Sequence, residues 1–323
     1  QWLFEVGAAG DITKPDNYGS TPMHRACHGG HLSVCQWLFE VGAAGDITKT
    51  NNSGCTPMHE ACEGGHLSVC QWLFEVGAAE DITKASNFGF TPMHRACNGG
   101  HLSVCQWLFE VGAAGDITKT NNYVSTPMHK ACEGGHLTVC QWLFEVGAAG
   151  DITKTNNHGF TPMHEACDGG HLSVCQWLFE VGAAGDITKA SNSGYTPMHE
   201  ACYGGHLSVC KWLFEVGAGA DITKTNNHGS TPMHIACGGG HLSVCQWLFE
   251  VGAAGDITKT NNYGLTLMHA ACEGDHLSVC QWLVLNSALN DPTSEQVDET
   301  IVLEATSRMP YHIWPNLLSW ARD

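Results

Sequence analysis

Positive charge and long apolar runs are what this sequence has least of. Fourteen Lys and Arg side chains stand against 32 Asp and Glu, a formal charge of −18 over 323 residues. Contacts that track phosphates need basic side chains to displace counterions, so nucleic acid and anionic membrane surfaces are disfavoured as partners. A basic or amphipathic protein segment suits the chain better. No stretch approaches the roughly 18 consecutive apolar residues of a membrane span, and no charged leader precedes an apolar signal core. Also missing are a Gly-rich phosphate loop after a strand, a nucleophile elbow and a unique pair of carboxylates in an apolar setting. No catalytic residue and no cofactor is therefore assigned, and the chain reads as a non-enzymatic, intracellular monomer of the cytoplasm.

What is present is repetition. Thr21-Pro22-Met23-His24 returns at Thr56, Thr91, Thr126, Thr161, Thr196 and Thr231, each 35 residues after the last, and an altered copy begins at Thr266. A fixed period of this length signals stacked supersecondary units without a single central core. The chain opens at Gln1-Trp2-Leu3-Phe4, the middle of one such unit, and reads as a fragment on that ground.

One copy, residues 51–85, shows the local logic. Asn51-Asn52-Ser53-Gly54 is a turn, with Gly54 supplying the positive φ. Thr56 is an N-cap and Pro57 the first helical residue, where a missing N–H leaves nothing unsatisfied. Met58 to Glu63 makes a short first helix, stopped by Gly64-Gly65. Leu67 to Val76 makes a second, with Leu67, Val69, Cys70, Leu73, Phe74 and Val76 near helical spacing. Gly77 fits a left-handed cap, and Ala78 to Lys84 is expected to return in an extended path.

These residues resemble the ankyrin repeat, through Thr-Pro-Met-His at a Thr-Pro-Leu-His position, the Gly-His-Leu after the first helix and the Gly-Ala…Asp-Ile return. The resemblance covers about residues 1–285. It implies a mainly all-α solenoid of stacked helix-turn-helix units with projecting β-hairpin-like loops, which binds partner proteins through its concave inner-helix face and loop tips. The 35-residue period exceeds the family's usual 33, with the extra pair near Gly77-Ala78-Ala79-Glu80. Thr83 stands where many members carry an Asn that can be hydroxylated, so that modification is not carried over. A Trp replaces a Leu-like residue in every second helix from Trp2 to Trp282, and a row of stacked Trp is expected.

Seventeen cysteines invite a disulfide or metal reading. Sixteen of them, all but Cys55, occupy two fixed places per copy within apolar helical stretches, where free Cys behaves as a small hydrophobe. A reducing compartment is the simpler inference. His24, Cys27, His31 and Cys35 have zinc-like spacing and recur in all eight copies. The Gly-Gly break between Cys27 and His31 nonetheless aims the first His and second Cys apart, and the resemblance accounts for all four as architecture. No metal site is assigned.

Function is therefore sought where the copies differ. The tips run Tyr18, Ser53, Phe88, Tyr123, His158, Ser193, His228 and Tyr263, and the residue before each Thr runs Ser20, Cys55, Phe90, Ser125, Phe160, Tyr195, Ser230 and Leu265. Two first-helix positions three apart, hence on one face, also vary. The candidate partner-binding residues are Phe88, Phe90, Tyr123, Lys130, Glu133, His158, Phe160, Glu165, Asp168, Tyr195, Glu200 and Tyr203. They combine aromatic tips, typical binding anchors, with an expected acidic inner face. Drift at exposed positions is the competing account of the same variation.

Val124 stands where other copies have the turn Gly, and a reshaped finger is expected there. After Leu285 the pattern stops. Thr293-Ser294-Glu295-Gln296 fits a capping box, and residues 286–323 read as a divergent helical cap or the start of a further segment. Two other roles remain beside the interaction module: a substrate-recruiting adaptor of a larger assembly such as a ubiquitin ligase, and a structural spacer or spring.

Overall fold

The computed structural model describes residues 8–290. It falls into two units, residues 1–165 and 166–323. Each unit stacks pairs of short antiparallel helices. The inner members are α1 (Pro22–His28), α3 (Pro57–Glu63), α5 (Pro92–Asn98), α7 (Pro127–Glu133), α9 (Pro162–Asp168), α11 (Pro197–Tyr203), α13 (Pro232–Gly238) and α15 (Leu267–Glu273). The outer members are α2 (Leu32–Leu38), α4 (Leu67–Leu73), α6 (Leu102–Leu108), α8 (Leu137–Leu143), α10 (Leu172–Leu178), α12 (Leu207–Leu213), α14 (Leu242–Leu248) and α16 (Leu277–Asn290). Two-turn helices of seven residues do not persist alone in water, so stacking holds them. Within each unit the inner helices pack on one another more closely than the outer ones do, which narrows the stack on the inner side.

The core repeats like the sequence. In the second copy Met58, Ala61 and Cys62 of α3 meet Val69, Cys70 and Leu73 of α4, all fully buried. Thr56 precedes α3 in extended conformation, and the Nδ1 of His59 accepts its N–H at 3.2 Å. That acceptance leaves the imidazole proton on Nε2, which donates to the Phe90 carbonyl of the next copy at 3.1 Å. His66 begins α4 and donates from Nε2 backwards, to the His28 carbonyl at 3.0 Å. In this copy one His therefore ties forward and the other ties back.

Gly-Gly is required between them. Gly65 has φ +75, and a Cβ there would lie 2.3 Å from the His101 ring of the next copy. Asp275 holds the equivalent place in the last copy at φ +59.

Three expectations need correction. The stretch after the second helix is not extended: α4 widens into a π-type turn over Phe74–Ala78, Gly77 breaks it at φ +123, and Ala79–Thr83 winds as a 3-10 turn before Lys84 extends. The cause is Asp81, which is buried, receives the Lys84 ammonium at 3.2 Å and accepts the Lys84 N–H on its carbonyl. Among the described residues the tryptophans do not stack on each other. Trp72 and Trp107 are only half-buried, and each meets the Phe of the preceding copy edge-on, Phe39–Trp72 and Phe74–Trp107 both at 5.8 Å. Val124 keeps the ordinary turn, at φ +61 with its N–H bonded to the Asn121 carbonyl at 2.9 Å, so the finger holds its shape and the residue carries the strain.

At the far end α16 runs on to Asn290, because Ser287 stands where the other copies have the Gly that stops the outer helix. The capping box at Thr293 and the rest of the tail lie outside the described residues.

Candidate partner-binding surface

The loop tips are closed by hydrogen bonds. Asn51 Oδ1 accepts the N–H groups of Ser53 and Cys55, both at 3.0 Å, while its own N–H meets the Cys55 carbonyl and its carbonyl the Gly54 N–H. Neighbouring tips are then laced together. Asn52 donates to the Asn17 carbonyl at 3.2 Å, Asn87 to Asn52 at 3.0 Å and Asn122 to Asn87 at 3.0 Å. The same lacing joins Asn227 to Asn192 and Asn262 to Asn227 in the second unit. The variable tip residue rides on this frame, and Tyr18, Phe88, Tyr123, Val124 and Tyr263 are all exposed.

In the first unit several candidates meet. Phe90, half-buried, lies edge-on to His94 at 5.9 Å and 6.4 Å from the Tyr123 ring. The Arg95 guanidinium stands over its face at 5.1 Å and the Lys130 ammonium at 5.7 Å. Arg95 also spans to Glu63 of the previous copy at 3.2 Å, and Lys130 is paired with Glu133. His158 and Phe160 lie 6.4 Å apart, and Glu165 accepts from Asn156 at 3.2 Å. The expected acidic stripe is thus corrected in this unit to an alternating ion-pair network. Lys14, Lys49, Lys84, Lys119 and Lys154 are each committed to the Asp three residues before.

In the second unit Asp168 is exposed, and its carbonyl receives His206 Nε2 at 2.8 Å. Tyr195 packs on His199 at 5.7 Å, and burial together with the nearby Glu200 pushes its phenol pKa up. Glu200 is itself buried and Tyr203 is 63% exposed. Tyr195 and Tyr203 form one end of a cleft of about 660 Å³ that the variable-position reading missed, lined further by Ile235, Gly238, Leu265, Ala270 and Glu273. A signal was present: Gly238 occupies a place held elsewhere by His, Glu, Asn, Asp or Tyr, and Ala270 one held mostly by long charged residues.

The imidazole at the cleft floor departs from its counterparts. His24, His59, His94, His129 and His199 donate from Nε2 to the next copy's loop carbonyl at 3.1–3.3 Å. His234, 4% exposed, makes no such bond from Nε2. Burial lowers its pKa, while Asp256 and the carbonyls of Lys259 and Leu265 act in the opposite direction without giving that N–H a hydrogen-bonding geometry.

The recurrent His and Cys do not converge as a ligand set. Cys27 and Cys35 touch at 3.6 Å, but both nitrogens of His24 are engaged, Nδ1 by Thr21 and Nε2 by the Cys55 carbonyl. All seventeen cysteines are free and buried, and burial with the neighbouring sulfur drives the Cys62 and Cys97 thiols well above their ordinary range. His28, Glu60 and Glu63 bring possible metal-binding atoms within 4.8 Å of one another. Arg95 already neutralises Glu63, and Asn51 and His28 already hold Glu60, so this group serves as part of the ion-pair network. No helix among the described residues is long and apolar enough to cross a membrane.

No curated protein matches the sequence. A family model built from three consecutive ankyrin repeats matches residues 1–84, 76–155, 148–226 and 216–295. Ankyrin repeats generally mediate protein–protein interaction and are typically non-catalytic scaffolds. With these matches along nearly the whole chain, and with the helix pairs, laced loops and reciprocal His bonds described above, the chain belongs to the ankyrin-repeat family.

Proposed function

We propose that this array is a non-enzymatic scaffold that holds an amphipathic, basic segment of a partner protein along its loop tips and inner helices. The observation that carries the reading is the set of aromatic tips held exposed on a hydrogen-bonded frame. Tyr18 is 72% and Tyr263 68% exposed, on loops whose backbone is otherwise fully laced. Exposed rings cost solvation, and on a partner such rings act as anchors; stacking on His228 at 6.0 Å holds the Tyr263 ring in place. Phe90 and Tyr123 offer a part-desolvated patch between charges, which suits one apolar side chain with polar neighbours. The formal charge of −18 favours a basic partner, chiefly by speeding encounter and rejecting acidic competitors.

The test compares the chain with a variant in which Tyr18, Phe88, Phe90, Tyr123, His158, Phe160, Tyr195, Tyr203 and Tyr263 are all Ser. Both are used as bait in lysate, and folding is checked by circular dichroism. Proteins recovered by the parent and lost from the variant support the reading. Equal recovery by both refutes it and leaves the spacer role.

A further inference from the structure

The cleft on α11, α13 and α15 exists because of two small residues. Gly238 and Ala270 sit at variable inner-helix places where other copies carry larger side chains, and a Cβ on Gly238 would meet only the Ala270 Cβ, at 3.8 Å. The opening is bounded by the rings of Tyr195 and Tyr203 and by Ile235 and Leu265. A concavity of this size with apolar walls and few polar groups is the usual form of a ligand pocket.

Charge describes what enters it. Glu273 is the single formally charged lining residue, and Glu200 acts on Tyr195 from the other end. Lys189, Lys224 and Lys259 of this unit are bound to Asp186, Asp221 and Asp256.

We infer that this cleft is a specific subsite for a large apolar side chain, aromatic or long aliphatic, carried by a partner protein segment next to a Lys or Arg. The side chain fills the space that Gly238 and Ala270 leave, and the cation meets Glu273. This rests on the interaction reading above and locates its strongest anchor away from the tips of the first unit.

Gly238→Tyr closes the cleft with a residue the array already carries at the same place in α11. The glycine is at an ordinary helical φ with open space beside it, so the variant keeps the fold, as its thermal unfolding verifies. A random 12-residue peptide library displayed on phage is panned against the whole chain, with the Gly238→Tyr chain as counter-selection. The expected peptides share an aromatic, Leu or Met residue within two positions of Lys or Arg. They bind the parent about thirtyfold more tightly than Gly238→Tyr, and Glu273→Gln weakens them several-fold in a manner that salt removes.

Peptides that bind Gly238→Tyr within threefold, peptides that are acidic or uncharged, or no enrichment at all overturn the inference. So does dimerisation of the parent abolished by Gly238→Tyr, which makes a second copy the occupant. So too does tight binding in the cleft by a synthetic peptide of residues 309–323, which makes it the chain's own tail. Enriched peptides that ignore Gly238→Tyr but are lost from the Ser-tip variant leave the interaction reading standing while removing this subsite.

Discussion

Acidification from pH 7 to 5.5 is expected to destabilise the array sharply, through imidazoles rather than carboxylates. His59, His94, His129 and His199 are buried neutral, and burial holds each pKa at about 4 against an ordinary 6.5. Protonation would place an Nδ1–H against the Thr N–H that Nδ1 now accepts, so the charged ring loses a bond as well as its solvation. The sign follows from the lowered folded-state value. Between pH 6.5 and 4 the unfolded chain binds more protons, so stability is complete above that window and falls as pH drops through it.

At pH 5.5 each such His costs about 1.4 kcal/mol, and the four together about 6 kcal/mol, a large share of the roughly 5–15 kcal/mol of a folded domain. His24 and His234, whose pKa values burial also lowers, act in the same direction. The carboxyls of Asp81, Asp116, Asp186 and Asp221 are raised by burial and act oppositely, taking up protons in the folded state and flattening the loss at the acid end. The assay is urea unfolding at half-unit pH steps followed by circular dichroism, with imidazole protons tracked by NMR in the folded chain. Midpoints that do not change between pH 7 and 5, or ring protons of these four titrating near 6.5 while the chain stays folded, would refute the argument.

Val124→Gly is expected to stabilise the chain by about 1 kcal/mol, by removing a β-branched residue from φ +61, and a lower melting temperature would count against the turn geometry. Gly100→Ala should cost about 2–4 kcal/mol, because the position has φ +74 and a Cβ there lies 2.3 Å from the His136 ring, which would surrender its bond to the Asn98 carbonyl. Gly115→Ala, with nothing within 4 Å of the new Cβ, should leave stability unchanged or slightly raised in the same urea titration. Comparable losses from both variants would show that the inter-copy contact at Gly100 is not what matters.

Much of the fold was legible because the 35-residue return exposes every architectural choice eight times. Thr-Pro at a helix start, Gly-Gly between helices and Gly before the outer turn are local demands on φ or on missing N–H groups, and the structure meets them where the sequence places them. The return after the outer helix was misread because its shape depends on a tertiary event, the burial of Asp81 with Lys84, which apolar spacing does not encode. The tryptophans show the same limit. Their recurrence announces a ladder, but whether Trp meets Trp or Phe depends on the offset between successive copies.

For the binding surface, variation among copies located the exposed tips, since a residue outside the packing is free to differ. It missed the cleft of Gly238 and Ala270 because the search followed large and charged side chains, whereas this feature is a deficit of volume. By itself the sequence determined the unit, its period and its helix caps, all set by backbone chemistry within a few residues. Only the tertiary structure decided that Glu63 of the first unit is spent in an ion pair with Arg95 and that His59 and His66 point to opposite neighbours, because each depends on what the adjacent copy brings within about 3 Å.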